Sequence, residues 1–523
     1  MAVADLSGCD LLQPRLVGFE QRLSQDLDAL FHRRLVGGFG AREAAEQEAG
    51  SAESNCACNR EVTPRYVHGI LLDRVRSTLD CAEGTPSRIF RIVRAAVRTF
   101  LVVWTGQLVS QIGTAMSTFA LLIWIYERTG RATTVALLGF FWFVPVIALA
   151  PLAGVWIDRH DRRRIMLLAD AGAAVMTLGV LLLYTGGRLE VWHLYVAEAI
   201  SGICWAFQGP AYTAAITMLL PSRHYARAAG LRSVATFGAD AVAPFLAGVA
   251  VVALGIAGVL VIDLVTFLVA VATLVTVRIP RPLEATPAQG ARPSSFREEL
   301  GAGFQYIRER RGLLALLGIN TGINLFAALT YYAILPPMIL ARTVRDPLAL
   351  ASVQSALGAG AVAGGVVMGV WGGPRRRIHG VLAGAAISFL TGDLLFAIGR
   401  TLPVWLVAAF VGAFFVPIIM ASDLAIWQAK VPPSLQGRVF SIRSAVRMST
   451  MPLGYLLGGV LADGWFEPAM MAGGSLAPVC GWLVGGGPGA GMAVMFLLTA
   501  VAGPAMSLAG YLSPTVRNVS GGP

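Results

Sequence analysis

The sequence predicts an all-α integral membrane protein, with twelve transmembrane helices arranged as two pseudo-symmetric six-helix bundles. Three observations carry that expectation. Of 523 residues, 56% are hydrophobic and 14% charged, and the mean hydropathy of +0.67 exceeds what a water-facing surface tolerates. From Arg98 onward the apolar residues come in twelve long runs, each sufficient as a helix to cross about 30 Å of hydrocarbon. The charges lie between these runs, whereas a soluble core helix needs only one apolar stripe.

Residues 1–90 are polar and mixed in charge, with an Ala/Glu-rich stretch from Ala41 to Glu53. They read as a cytosolic N-terminal extension, largely disordered, with no apolar run of the kind a secretory signal needs. The apolar runs follow near 99–126, 135–157, 165–186, 191–219, 233–254, 256–277, 313–340, 349–371, 378–399, 403–428, 439–462 and 488–512. The first six make an N-terminal bundle within 91–278 and the last six a C-terminal bundle within 313–515, leaving 516–523 as a cytosolic tail. The longest inter-helix loop, 279–312, joins the bundles and ends in an amphipathic stretch from Phe296 to Arg311. Its Phe304 and Ile307 are expected at the lipid headgroups, with its arginines against anionic lipid.

The net charge of +11 is not gathered on one domain, as a nucleic-acid surface would require. Loops after even-numbered runs carry Arg159, Arg162, Arg163 and Arg164; Arg223 and Arg227; a series from Arg278 to Arg311; Arg375, Arg376 and Arg377; and Lys430 with Arg438. Loops after odd-numbered runs carry only Arg128, Arg131, Arg188, Arg342, Arg345 and Arg400. Positive charge stays on the cytosolic side, so both termini are expected there.

Enzyme chemistry has little to build on. The six histidines are dispersed and no nucleotide loop or nucleophile–base arrangement occurs. Cys56-Ala-Cys58 has no second pair at ligand spacing, so neither a metal nor a cofactor is expected.

The chemistry-bearing motif lies between the second and third runs: Gly154-x-x-x-Asp158-Arg159-x-x-Arg162-Arg163. Gly154 permits close helix approach, Asp158 is a short anion suited to a neighbouring helix N-terminus, and the arginines can pair with nearby carboxylates. This loop, between two membrane-spanning runs of a six-plus-six chain, resembles the signature loop of the major facilitator superfamily. Trp104 to Gly113, Trp371 to Arg377, Gly437-Arg438-Val-Phe-Ser441 and Pro452-Leu-Gly-Tyr455 narrow the likeness to the bacterial exporter branch with the enterobactin exporter and macrolide-efflux permeases. The resemblance covers about residues 98 to 515. It implies a plasma-membrane transporter and a conformational latch of Gly154, Asp158, Arg159, Arg162 and Arg163, with Asp170 nearby, facing Gly437 and Arg438 at the start of the eleventh run.

The second half carries only a worn copy of this loop, with Gly372-Gly373-Pro374 where the acid would fall, and the fourth run has Gln208 where drug exporters often place a basic residue. Gly238, Pro244 and Gly248 in the fifth run form a loose version of the superfamily's antiporter stretch. Small residues here and in the eighth run, including Gly360 and Gly364, read either as a direction-setting element or as ordinary close packing, with Pro244 permitting a bend.

Carboxylates inside a membrane are costly and tend to be functional. Asp240, Glu198 and Asp263 are therefore candidates for proton coupling, with a packing hydrogen bond as the standing alternative for each. A cavity for an amphiphile needs apolar and aromatic walls with few polar contacts, which Trp104, Gln107, Gln111, Asn320, Asn324, Met420 and Trp427 can supply. The expected function is export of a hydrophobic or amphiphilic small molecule (drug, antibiotic or siderophore) by alternating access with proton antiport. The protein is expected to act as a monomer, with protons and membrane lipid as its other partners. Import or facilitated diffusion of a nutrient by the same fold remains open, as does a non-transporting scaffold or sensor, which would lose all function on deletion of residues 1–85.

Overall fold

A computed structural model gives the architecture for residues 86–220, 224–277 and 296–519. The N-terminal extension, the first part of the inter-bundle loop and the end of the tail lie outside the described residues, as do the side chains of Gly154, Asp158 and Arg159.

The first span lies within Pro86–Thr129, the second in Ala132–Arg159, the third in Arg162–Thr185 and the fourth in Val191–Leu219. The fifth and sixth share Tyr225–Thr276, which breaks at Gly255 with φ 69° and ψ 179°. That conformation is open essentially to glycine alone, so the chain turns there without a separate loop.

The seventh span runs from Arg311–Ala327 through a wide π turn, Ala328–Ile334, into Leu335–Arg342. The eighth is Pro347–Trp371. The ninth is Arg377–Ile387, a π turn at Ser388–Asp393 and Leu394–Ile398. The tenth joins Leu402–Phe414 to Val416–Lys430. The eleventh is Pro433–Leu461 with a π turn at Ala462–Phe466 and a last turn, Glu467–Met470, and the twelfth is Ala490–Leu512.

Nine stretches of the described residues are long and apolar enough by themselves to cross a membrane. The twelve helices of the fold exceed that number because Gly255 divides Gly238–Thr276, and because the fourth and eleventh spans are too polar: Glu198 and Gln208 lie on one, Arg438, Arg443 and Arg447 on the other.

Among the described residues, two apolar cores lie toward opposite ends of the protein. At the end away from the arginine loops, a single core draws on both halves, uniting Leu121, Val135 and Ala247 with Met338, Ala351 and Phe396. A core at the arginine-rich end, with Leu316, Leu382, Trp427 and Val439, is built from the second half together with Tyr306 and Ile307 of the inter-bundle helix.

The inter-bundle helix, Phe296–Glu309, lies on the eleventh span at the arginine-rich end. Gly303 lets it approach the Arg438 backbone and Ile442, and the Tyr306 hydroxyl donates to the Lys430 carbonyl at 2.6 Å. Phe304 is exposed, as expected of a lipid-facing residue, but Ile307 is 1% exposed. Ile307 thus packs into protein rather than at the headgroups, because the helix turns that side toward the bundle.

Candidate functional site

At the arginine-rich loop the third span is capped by Asp161, whose carboxylate accepts from the Arg163 backbone N–H at 2.9 Å. The Arg163 side chain reaches the end of the sixth span, donating to Leu274 O at 2.7 Å and Val275 O at 2.6 Å. These carbonyls close a helix and carry its negative pole. Arg162 meets the Met218 sulfur on the fourth span. Gly437 and Arg438 are exposed at the start of the eleventh span.

Asp170 sits deeper than the loop, 1% exposed. Gln107 Nε2 donates to it at 3.1 Å, Gln208 Nε2 also donates to it, and Gln208 donates to Gln107 Oε1 at 3.0 Å. This triad ties spans one, three and four together. It holds Gln107 in packing rather than presenting it to a cavity, and gives Gln208 a structural partner that the linear sequence does not reveal.

The carboxylates divide into two kinds. Asp263, on the sixth span, is 1% exposed and accepts from Thr114 Oγ1 at 3.3 Å and Thr177 Oγ1 at 3.2 Å, joining spans one, three and six. The second half repeats the device: Asp393, fully buried, accepts from Tyr331 at 2.6 Å and Thr499 at 2.5 Å, joining spans seven, nine and twelve. Such carboxyls are satisfied by neighbouring hydroxyls and act as bolts within each half. Asp240 is exposed and Glu198 half-buried in the protein.

An aromatic group marks the seam. Phe143 of the second span lies 5.8 Å, centroid to centroid, from Tyr455 of the eleventh, and Tyr455 lies 6.3 Å from Tyr332 of the seventh. Tyr332 and Arg447 lie in no motif that would mark them beforehand, and Tyr455, though it closes the Pro452-Leu-Gly-Tyr455 motif, is not among the site residues expected from the sequence. Arg443 and Arg447, four residues apart on the eleventh span, were legible as intramembrane charge, but their partners were not.

The remaining candidates scatter. Asn320 is buried and donates to Asp423 Oδ1 at 2.8 Å, and Trp427 Nε1 donates to the same oxygen at 3.1 Å. Arg443 pairs with the other oxygen of Asp423 and lies 5.5 Å from the Trp427 ring centroid. Trp427 is fully buried and serves this cluster. Asn324 donates to the Asn320 carbonyl at 2.8 Å. Trp104 donates to Leu231 O at 3.0 Å within its own half, while Gln111 and Met420 are exposed.

The small residues also separate. A side chain on Gly248 would meet Ala351, and one on Gly358 the Ala241 backbone, so these two bring spans five and eight together. Gly360 and Gly364 face Phe410 O and Phe414 O of the tenth span rather than the fifth, and Gly238 has no neighbour within 4 Å of where a side chain would begin. Pro244 lies inside the helix, whose break falls at Gly255. Among the described residues no cluster of His, Cys, Asp and Glu could hold a metal ion.

Two six-helix halves meeting along a polar and aromatic seam define a transporter of the membrane-embedded kind. The chain belongs to the Major Facilitator Superfamily, whose profile matches residues 103–449. It is 30% identical over 379 residues to macrolide efflux protein A of Streptococcus pyogenes, covering 70% of this chain and 89% of that protein. The protein of the same name from Enterococcus faecalis is 30% identical over 336 residues, 61% of this chain and 98% of the relative. The multidrug efflux pump Tap of Mycobacterium tuberculosis is 25% identical over 383 residues, 70% and 87%.

Among solved structures, a bacterial homologue of the human lysosomal transporter Spinster matches with a TM-score of 0.60 at 16% identity, over 81% of this chain and 97% of the other. A point mutant of the nucleoside transporter NupG matches with a TM-score of 0.56 at 11% identity, over 79% and 98%. These likenesses show the fold.

Proposed function

We propose that this protein is a secondary exporter of hydrophobic or amphiphilic small molecules, of the macrolide and drug class handled by its relatives. It works by alternating access and is driven by inward proton movement. Both termini and the arginine loops then lie in the cytosol of a bacterial plasma membrane, and the end with the shared core is the outer end. The observation that carries the reading is the aromatic seam between the halves, Phe143 against Tyr455 and Tyr455 against Tyr332, with the membrane carboxylates Glu198 and Asp240 on the fourth and fifth spans. Asp240 precedes Ala241, whose backbone packs on Gly358 of the eighth span, next to the seam where a substrate would pass.

A carboxyl in such a place can be protonated from one side and released to the other as the halves rock, tying substrate to proton. At the cytosolic end, Asp158, Arg159 and Arg162 would latch the halves against the start of the eleventh span when that side closes. The test is accumulation of a radiolabelled macrolide in a pump-deficient bacterium expressing the protein. Accumulation is expected to fall and to recover with a protonophore; equal accumulation with and without the protein would contradict export.

A further inference from the structure

At the end with the shared core, two charged side chains of the second half reach the poles of helices in the first. Asp463, in the π turn that ends the eleventh span, accepts from the backbone N–H of Ala132 at 3.0 Å through Oδ1 and from that of Thr133 at 2.7 Å through Oδ2. These are the opening amides of the second span, and its own N-cap residue, Arg131, supplies no side-chain cap. Arg345, between spans seven and eight, donates to the Glu127 carbonyl at 3.2 Å, in the last turn of the first span.

The acid therefore sits on a positive helix end and the arginine on a negative one, the arrangement the helix dipole favours. Arg345 is held in the left-handed region at φ 63°, next to Val344 at φ 55°, a conformation disfavoured for both side chains and therefore maintained by its surroundings.

We infer that Asp463 and Arg345 form a clasp that holds the outer ends of the two halves together by pairing with opposite poles of two first-half helices, and that it opens in each transport cycle. Other caps of the same chemistry stay within one half. Glu467 accepts from Gly489 N at 3.1 Å and Met492 N at 2.9 Å, and nothing in a rocking motion separates them. The Asp463 contacts cross the seam, together with Gly459 against Thr133 and Gly139 against Tyr455, so parting the outer ends must break them.

The clasp also mirrors the latch proposed at the cytosolic end, where Asp158, near the end of the second span, would meet the start of the eleventh. Two antiparallel helices would then each offer an acid to the other's N-terminus, one pair made as the other breaks. This last step rests on the latch reading; the clasp itself does not.

The test uses the full chain in lipid nanodiscs, with native cysteines replaced by serine and spin labels on Arg188→Cys and Trp482→Cys, exposed residues at the outer end of either half. Pulsed electron resonance then reads the distance between them. Asp463→Asn is expected to raise the ratio of open to closed outer ends about fivefold, the scale of a lost charged cap. Arg345→Gln should shift it in the same direction, and Asp463→Glu should keep the parent distribution. Glu467→Gln, which removes a cap inside one half, should leave the distances unchanged.

An unchanged distribution in Asp463→Asn overturns the clasp, as does an equal shift in Glu467→Gln, which would mark general loosening. No substrate or proton gradient enters the measurement, so its failure leaves the export reading standing, and a failure of export leaves the clasp standing.

Discussion

A carboxyl group in a membrane protein must find donors or exchange its proton, because an isolated charge in hydrocarbon is costly. Asp263 and Asp393 take the first course, and the proposed coupling assigns the second to Glu198 and Asp240. Asp393→Ala leaves the Tyr331 hydroxyl without its acceptor and returns that of Thr499 to the Phe496 carbonyl of its own helix, at a cost of about 1–3 kcal/mol. The melting temperature of the detergent-solubilised protein is expected to fall. Glu198→Gln is expected to melt with the parent protein but to lose protonophore-sensitive efflux, and normal efflux by that variant would remove Glu198 from proton coupling. The sequence makes the depth of an acid in its span legible, which is why Asp263 stands beside Asp240 and Glu198 as a candidate. Its donors are not legible: Thr114 and Thr177 lie 149 and 86 residues away, and only the packed bundle shows that Asp263 is bolted in place.

Between elements, small residues decide how closely helices approach, and the same residue type acts differently according to the face it occupies. Gly364→Ala would place a methyl group 1.9 Å from Phe414 O, whereas the same change at Gly238 meets nothing within 4 Å. The first is expected to force spans eight and ten apart and lower the melting temperature by several degrees. The second should leave it unchanged or raise it slightly, since alanine favours a helix over glycine by about 1 kcal/mol; equal effects would contradict the assigned faces. Most spans were visible in the sequence because length and apolarity are local properties, and Gly255 marks its own break. The π turns at Ala328–Ile334, Ser388–Asp393 and Ala462–Phe466 were not, because they arise from packing. Each aims a polar side chain, Tyr331, Asp393 or Asp463, at a partner on another helix, the kind of functional role in which such turns recur.

Across the whole molecule, the two halves share one core at the end away from the arginine loops, while the second half and the inter-bundle helix form another at the arginine-rich end. Arginine counts set the expected orientation, and hydropathy with the signature loop made the fold legible. Which residues meet across the seam, such as Tyr455 with Gly139 or Asp463 with Ala132, depends on how the halves are tilted, and no local pattern encodes that. In the proposed function these halves tilt to exchange protons for an amphiphile. Everted membrane vesicles containing the protein, given a proton gradient and then a panel of macrolides, lipophilic cations and catecholate siderophores, test it most directly. At least one compound is expected to dissipate the gradient while accumulating in the vesicle lumen, and Glu198→Gln should abolish both effects. Accumulation without proton movement would contradict the coupling, and no response to any of the three classes would contradict the exporter.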